Sequence, residues 1–289
     1  MIFNIPFIVR HEHRGSENRK KQIARGSPAI VTGIVIAVLL HAAATANALE
    51  GFPGSTWGIV NDSSGEVSGS GGMGWINQGV DWIVLPGGVV LNTFAEYRFR
   101  SRSRQPEYYN ARGPAAGLEF RKSMFRLGAD YYWETMPDYP GGARHSTIRE
   151  LYLAGYNSWD LTKNADLHLP GAIGLPGALW FNLAHDVKGL TGSGGMGWIN
   201  QGIDWFTLPG GAVMNTYAEY RYRSRTKLED YYDARGPAVG IELRKPLFRI
   251  GADYYWQHYP VLEERSHELE FYLTWYVDWD WKKRPESGK

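Results

Sequence analysis

The 289-residue chain has no cysteine. That excludes a disulfide framework, thiol nucleophiles and cysteine-held metal. It also lacks an apolar run of the roughly 20 residues that a membrane-crossing helix needs. The marked apolar stretch, Ile30–Leu40 (IVTGIVIAVLL), is too short. Beyond it no 3.6-residue apolar period appears, so amphipathic helices are not expected. HExxH, GxSxG and a phosphate loop ending in Gly-Lys-Ser/Thr are all missing, and nothing else in the pattern points to an enzyme or a cofactor. Neither sign of charge dominates: 31 basic residues face 30 acidic ones. A nucleic-acid binder would show a basic excess, so the RSRSR at Arg100–Arg104 is not read as a nucleic-acid patch.

What is present begins with a leader. Six basic residues between Arg10 and Arg25 precede the apolar run, and small residues follow it, ending Ala46-Asn47-Ala48. A positive segment, an apolar segment and an A-x-A site in that order read as a secretory signal peptide over residues 1–48. A membrane anchor is the rival reading. Without residues 1–48 the chain keeps 25 basic and 28 acidic residues, a net of −3.

The rest says almost the same thing twice. GSGGMGWINQG stands at Gly69–Gly79 and again at Gly192–Gly202, 123 residues later. LPGG, AEYR, ARGPA and GADYYW follow in both copies, and 46 of the 66 positions from Ser68 to Trp133 are identical in the second. The copies are bounded at 49–172 and 173–289. Both are rich in aromatic and β-branched residues, which favour sheet. In the first copy six strands are expected, near Thr56–Asp62, Trp75–Leu85, Val89–Arg102, Ala115–Lys122, Phe125–Glu134 and Ile148–Leu161. The second copy brings the total to about twelve. The Gly-rich stretch Ser63–Gly74 reads as a flexible loop. Pro86-Gly87-Gly88 and Lys122-Ser123-Met124 read as tight turns, so long and short connections alternate. The junction Thr162–Gly177 departs from this.

Side chains alternate within the strands. Val89, Leu91, Thr93, Ala95, Tyr97 and Phe99 share one face; Asn92, Phe94, Glu96, Arg98, Arg100 and Arg102 share the other. The last strand sets Leu269, Phe271, Leu273, Trp275, Val277, Trp279 and Trp281 against Glu268, Glu270, Tyr272, Thr274, Tyr276, Asp278 and Asp280. Aliphatic middles with aromatic ends suit a lipid-facing band between two girdles.

These patterns resemble Gram-negative outer-membrane β-barrel proteins over the whole chain after the leader, although Lys282–Lys289 follow the last aromatic where many of that class end on it. The resemblance implies an all-β antiparallel transmembrane barrel of about 12 strands, built from two six-stranded half-barrels, with outer-membrane lipid as its surroundings. In size, strand number and arginine rows the chain is similar to the oligogalacturonate- and sialic-acid-type porins, though no residue is carried over from them. The alternative is two tandem soluble β-domains, periplasmic or secreted, binding a polysaccharide or a cell-surface partner through Trp75, Trp82, Tyr108, Tyr109 and Trp133.

The candidate site is the polar face of the third strand and its copy: Glu96, Arg98, Arg100 and Arg102, with Glu219, Arg221, Arg223 and Arg225. Two inward arginine rows would guide an anionic small solute. Alternatively they pair with inward carboxylates such as Glu119, Asp130 and Glu134 and plug the lumen. The histidines His145, His168, His185, His258 and His267 are scattered; His145 and His267 nearly match between the copies, both expected in the last long loop. Glu263-Glu264 reads as solvated loop charge.

Overall fold

The computed structural model describes residues 49–64, 69–104, 109–165, 167–187, 191–227 and 233–282. The expected leader over residues 1–48, Gln105 to Tyr108 and the tail from 283 lie outside the described residues. Twelve strands run β1 (Pro53–Ser63), β2 (Ser70–Leu85), β3 (Val89–Arg102), β4 (Ala111–Lys122), β5 (Phe125–Met136), β6 (Arg144–Asp160), β7 (Pro176–Asp186), β8 (Ser193–Thr207), β9 (Val213–Arg225), β10 (Ala234–Arg244), β11 (Phe248–Tyr259) and β12 (Glu264–Asp280). Each pairs antiparallel with the next, and β12 pairs with β1 to close the ring. Closure removes both sheet edges. The two-domain alternative is thereby overturned: β1 has its partners in β2 and β12, one from each copy, so the copies share one wall.

Equivalent strands keep equivalent registers. Gly54 lies opposite Gln78 and Gly177 opposite Gln201; Arg98 lies opposite Gly113 and Arg221 opposite Gly236. Even the irregularity repeats, as one extra residue, Trp82 or Trp205, bulges from β2 and β8. A bulge adds local bend and twist to a closing sheet.

The Gly-rich loop is corrected to strand. Residues from Ser70 onward are in β2, and only 64–69 connect it to β1. Glycine suits this stretch because neighbours crowd it: a Cβ on Gly71 would meet the Ser101 carbonyl and Arg102. The tight turns stand as expected. Gly88 N donates to Leu85 O at 3.1 Å, with Gly87 and Gly88 at φ 83° and 77°, a left-handed backbone that only glycine takes without cost. The junction is not a slack linker. A four-residue helix α1 (Leu161–Asn164) follows β6, and the Asp160 carboxylate accepts from Thr162 N and Leu175 N, each at 3.1 Å.

Strand alternation sorts the side chains into two environments. Outside stand Leu118, Phe120, Leu127, Leu151, Leu153, Val239, Ile241, Ile250, Leu269, Phe271 and Leu273. Leu127 and Phe271 are 57% and 58% exposed, and such residues in contiguous rows need lipid rather than water. Inside, charged and polar residues are buried among aromatics such as Tyr132, Trp198 and Tyr255: Asn92, Glu119, Asp130, Glu134, Glu219, Arg221, Glu242, Asp253, Glu268 and Glu270. One small apolar cluster sits among them at the β12–β1 seam, where Trp57, Ile59 and Tyr272 pack with Met73 and Trp75. No described helix is long and apolar enough to cross a membrane; the crossing elements are strands.

Candidate functional site in the barrel lumen

All eight predicted residues lie on the inner face of β3 and β9, on strands whose outward neighbours are Ala95, Tyr97 and Phe99 or Ala218, Tyr220 and Tyr222. The arginines are not lone cations. Arg98 pairs with Glu96, and its Nη2 donates to Asp130 Oδ2 at 2.6 Å. Arg100 Nη2 donates to Glu134 Oε1 at 2.8 Å, and its Nε to Tyr109 O at 2.8 Å. Arg102 lies over the Tyr109 ring at 4.4 Å. In the second copy Arg221 pairs with Glu219 and, at 2.6 Å, with Asp253. Arg225 reaches Glu150 on β6 at 2.8 Å, three strands away, tying the second copy to the first. Arg223 is buried at 7% exposure.

The pairs cross a strand to meet. Asp130 and Glu134 belong to β5, so the β3 arginines must pass over β4. They can do so because β4 turns Ala111, Gly113, Ala115 and Gly117 inward, opposite Arg100, Arg98, Glu96 and Phe94. β10 repeats this with Ala234, Gly236, Ala238 and Gly240 opposite the β9 row. Alternating small residues give long side chains a floor to lie on. The signal was present in the repeated ARGPA, but it becomes meaningful only when the register brings β4 between β3 and β5.

A second charged layer lies nearer the short turns and was not anticipated. Arg121 pairs with Asp81, and Tyr152 OH donates to Glu119 at 2.9 Å. The equivalent Arg244 pairs with Asp204, and Tyr272 OH donates to Glu242 at 3.0 Å. A polar cavity of about 240 Å³ opens here, walled by Glu219, Glu242, Arg244, Arg249, Tyr217 and Tyr272 among others.

The other sequence candidates scatter. Trp75 stacks on Trp57 inside the barrel, with ring centroids 4.7 Å apart. Trp82 Nε1 donates to Thr93 Oγ1 at 2.8 Å, and Tyr109 is buried under arginines. His145 and His267 lie in β6 and β12, not in a loop, and at different heights: His145 is opposite Thr135, His267 opposite Trp256. Among the described residues no group of three His, Cys, Asp or Glu is placed to hold a metal ion.

A closed antiparallel barrel, apolar outside and charged within, is the architecture of transmembrane β-barrels. No protein-family model matches the chain, and no curated protein does. Similar solved structures include the β-domain of the Bordetella autotransporter BrkA, at 12% identity and TM-score 0.37 over 78% of this chain and 98% of that one. Others are the translocator domain of the Neisseria meningitidis autotransporter NalP (12%, TM-score 0.29, 85% and 97%) and Pseudomonas aeruginosa OpdK crystallised with vanillate (8%, TM-score 0.29, 79% and 98%). At these scores the class rests on the closed sheet and its outer face, not on the likenesses.

Proposed function

We propose that the chain is an outer-membrane barrel that passes small polar solutes, anionic ones among them, through a narrow lumen. The observation that carries this reading is the unequal exposure of the two arginine rows; the polar cavity lies on the side of the second copy. The Arg98 and Arg100 side chains keep 30% and 15% of their surface open, whereas Arg221 keeps 7%. Glu96, Arg98 and Arg100 then form the face that a solute meets. Arg102, Arg221, Arg223 and Arg225 are packed into the wall, and Glu219 borders the cavity. Rings of arginine guide anions; Arg98 is paired to Glu96 and Asp130, but its exposure leaves it the best placed of the row to meet a solute.

A closed structural barrel is the second reading, favoured by the burial of Arg102, Arg221, Arg223 and Arg225 at 6–8% exposure. Conductance of the purified chain in a planar bilayer separates the two. The channel reading expects small discrete openings whose anion-to-cation permeability ratio falls on Arg98→Gln with Arg100→Gln. Absence of any conductance would leave the structural barrel.

A further inference from the structure

We propose that the outer wall of β10–β12, at the long-loop rim, holds an anionic phosphate-bearing headgroup of a membrane lipid. The inference rests on the membrane-embedded barrel and is independent of conduction. Arg235 lies opposite His258, and His258 opposite Arg265, so three basic side chains stand in one row across three strands. Adjacent strands lie about 4.8 Å apart, so the row spans roughly 10 Å, the reach of a phosphorylated headgroup. All three sit on the outward face: they alternate with the inward, buried Ala234, Gln257 and Glu268 in their own strands.

Arg235 and Arg265 have no ion-pair or hydrogen-bond partner among the described residues. The lumen arginines Arg98, Arg100, Arg221 and Arg225, by contrast, each carry a carboxylate. His258 Nδ1 lies 3.2 Å from the Glu264 carbonyl, and its other ring nitrogen has no partner among the described residues. Just below, one row toward the membrane centre, Trp256 pairs with His267, and the next row down is Val239, Tyr254 and Leu269. From rim to centre the outer rows thus run from basic, through rows carrying Trp256 and Tyr254, to the apolar row of Ile241, Ala252 and Phe271. Cations at the level above an aromatic girdle meet lipid headgroups, and unpaired cations there attract anionic ones. The nearest carboxylates along the chain are Asp233, which accepts from Arg225 N at 2.7 Å, and Glu263 and Glu264, in the β11–β12 turn and at the first residue of β12.

The first copy offers a weaker version of the same face. Arg112, Thr135 and His145 form its row, Arg149 lies over Tyr131 at 5.2 Å, and a groove of about 440 Å³ opens along Trp133, Thr135, Arg144, His145 and Thr147. One position in the row carries Thr135 in place of a base, so the second copy is the stronger site.

The test places the full-length protein in nanodiscs of zwitterionic phospholipid doped with a doubly phosphorylated glucosamine lipid, or with that lipid stripped of its phosphates. Lipid retained on the protein is counted by native mass spectrometry. Enrichment of the phosphorylated lipid over bulk is expected, falling at least five-fold in Arg235→Gln with Arg265→Gln and little changed in Arg98→Gln. Equal retention of the dephosphorylated lipid, or no loss in the double variant, would overturn the proposal. So would full displacement by millimolar inorganic phosphate, which would make free phosphate the ligand. Heat-modifiable gel mobility, read on every sample, shows whether the barrel is inserted. An uninserted protein would remove the membrane reading itself, a failure distinct from an inserted barrel that does not retain the lipid.

Discussion

The two copies carry the same arginine row on the same inward face, yet the rows are not equally buried. Arg98 keeps 30% of its side chain exposed and its counterpart Arg221 7%, although each pairs with the equivalent glutamate and aspartate. One difference between the copies lies beside these arginines. Where the first copy has Phe94, the second has Tyr217, whose hydroxyl donates to Asp253 at 2.9 Å and lies 3.1 Å from Tyr272 OH. Tyr272 in turn donates to Glu242, which neighbours Arg244 and Arg249. A hydrogen-bonded chain thus joins the arginine layer to the second charged layer in one half of the lumen. In the other half Phe94 interrupts it, and Tyr152 bonds Glu119 alone.

The seams between copies differ as well. At β6–β7, Glu150 faces Asp186, and Arg225 of β9 reaches Glu150 from three strands along the wall. At β12–β1, Glu270 faces Ser63 and is satisfied by Asn61, so Arg102 is left to stack on Tyr109. A duplicated sequence therefore makes equivalent strands, but what completes each arginine's surroundings is the strand that the neighbouring copy supplies.

The largest expected effect follows from this difference. Arg221→Ala leaves Glu219 and Asp253 as unmatched buried charges and should lower unfolding stability by about 3–5 kcal/mol. Arg98→Ala, in the more solvated half, should cost about half as much. Urea unfolding of the detergent-refolded barrel measures both, and equal losses would break the comparison. A smaller effect is expected from Tyr217→Phe, which makes the second copy resemble the first. It should cost about 1 kcal/mol and raise the conductance. Phe94→Tyr should do the reverse, and no change in either variant would show that the hydroxyl chain does not set the exposure.

Much of the fold was legible. Two-residue alternation in Val89–Arg102 and in the last strand separated lipid face from lumen face correctly, and Pro86-Gly87-Gly88 marked its turn. The GSGGMG strand was not legible as strand, since glycine weakens a strand taken alone and only the crowding from Ser101 and Arg102 explains it. The site was half legible. Inward arginines and the carboxylates Asp130 and Glu134 followed from periodicity, but pairing across β4 depends on register, which no local pattern states. Glu119 was anticipated as an arginine partner of the same row and instead lies in the second layer with Arg121 and Tyr152. The basic row Arg235–His258–Arg265 is spread over three strands and has no local signature at all.

That both copies share one wall is tested most directly at the closing seam. The absence of native cysteine makes a disulfide probe clean. Val60 on β1 lies opposite Leu273 on β12, both outward, and facing strands bring Cβ atoms within bonding range of a disulfide. Val60→Cys with Leu273→Cys should cross-link on mild oxidation of the membrane-embedded protein, giving a circularised band of altered mobility. Val60→Cys with Leu153→Cys, the pair that would meet if the first copy closed on itself, should not. The opposite result, a link to Leu153→Cys and none to Leu273→Cys, would contradict the single barrel.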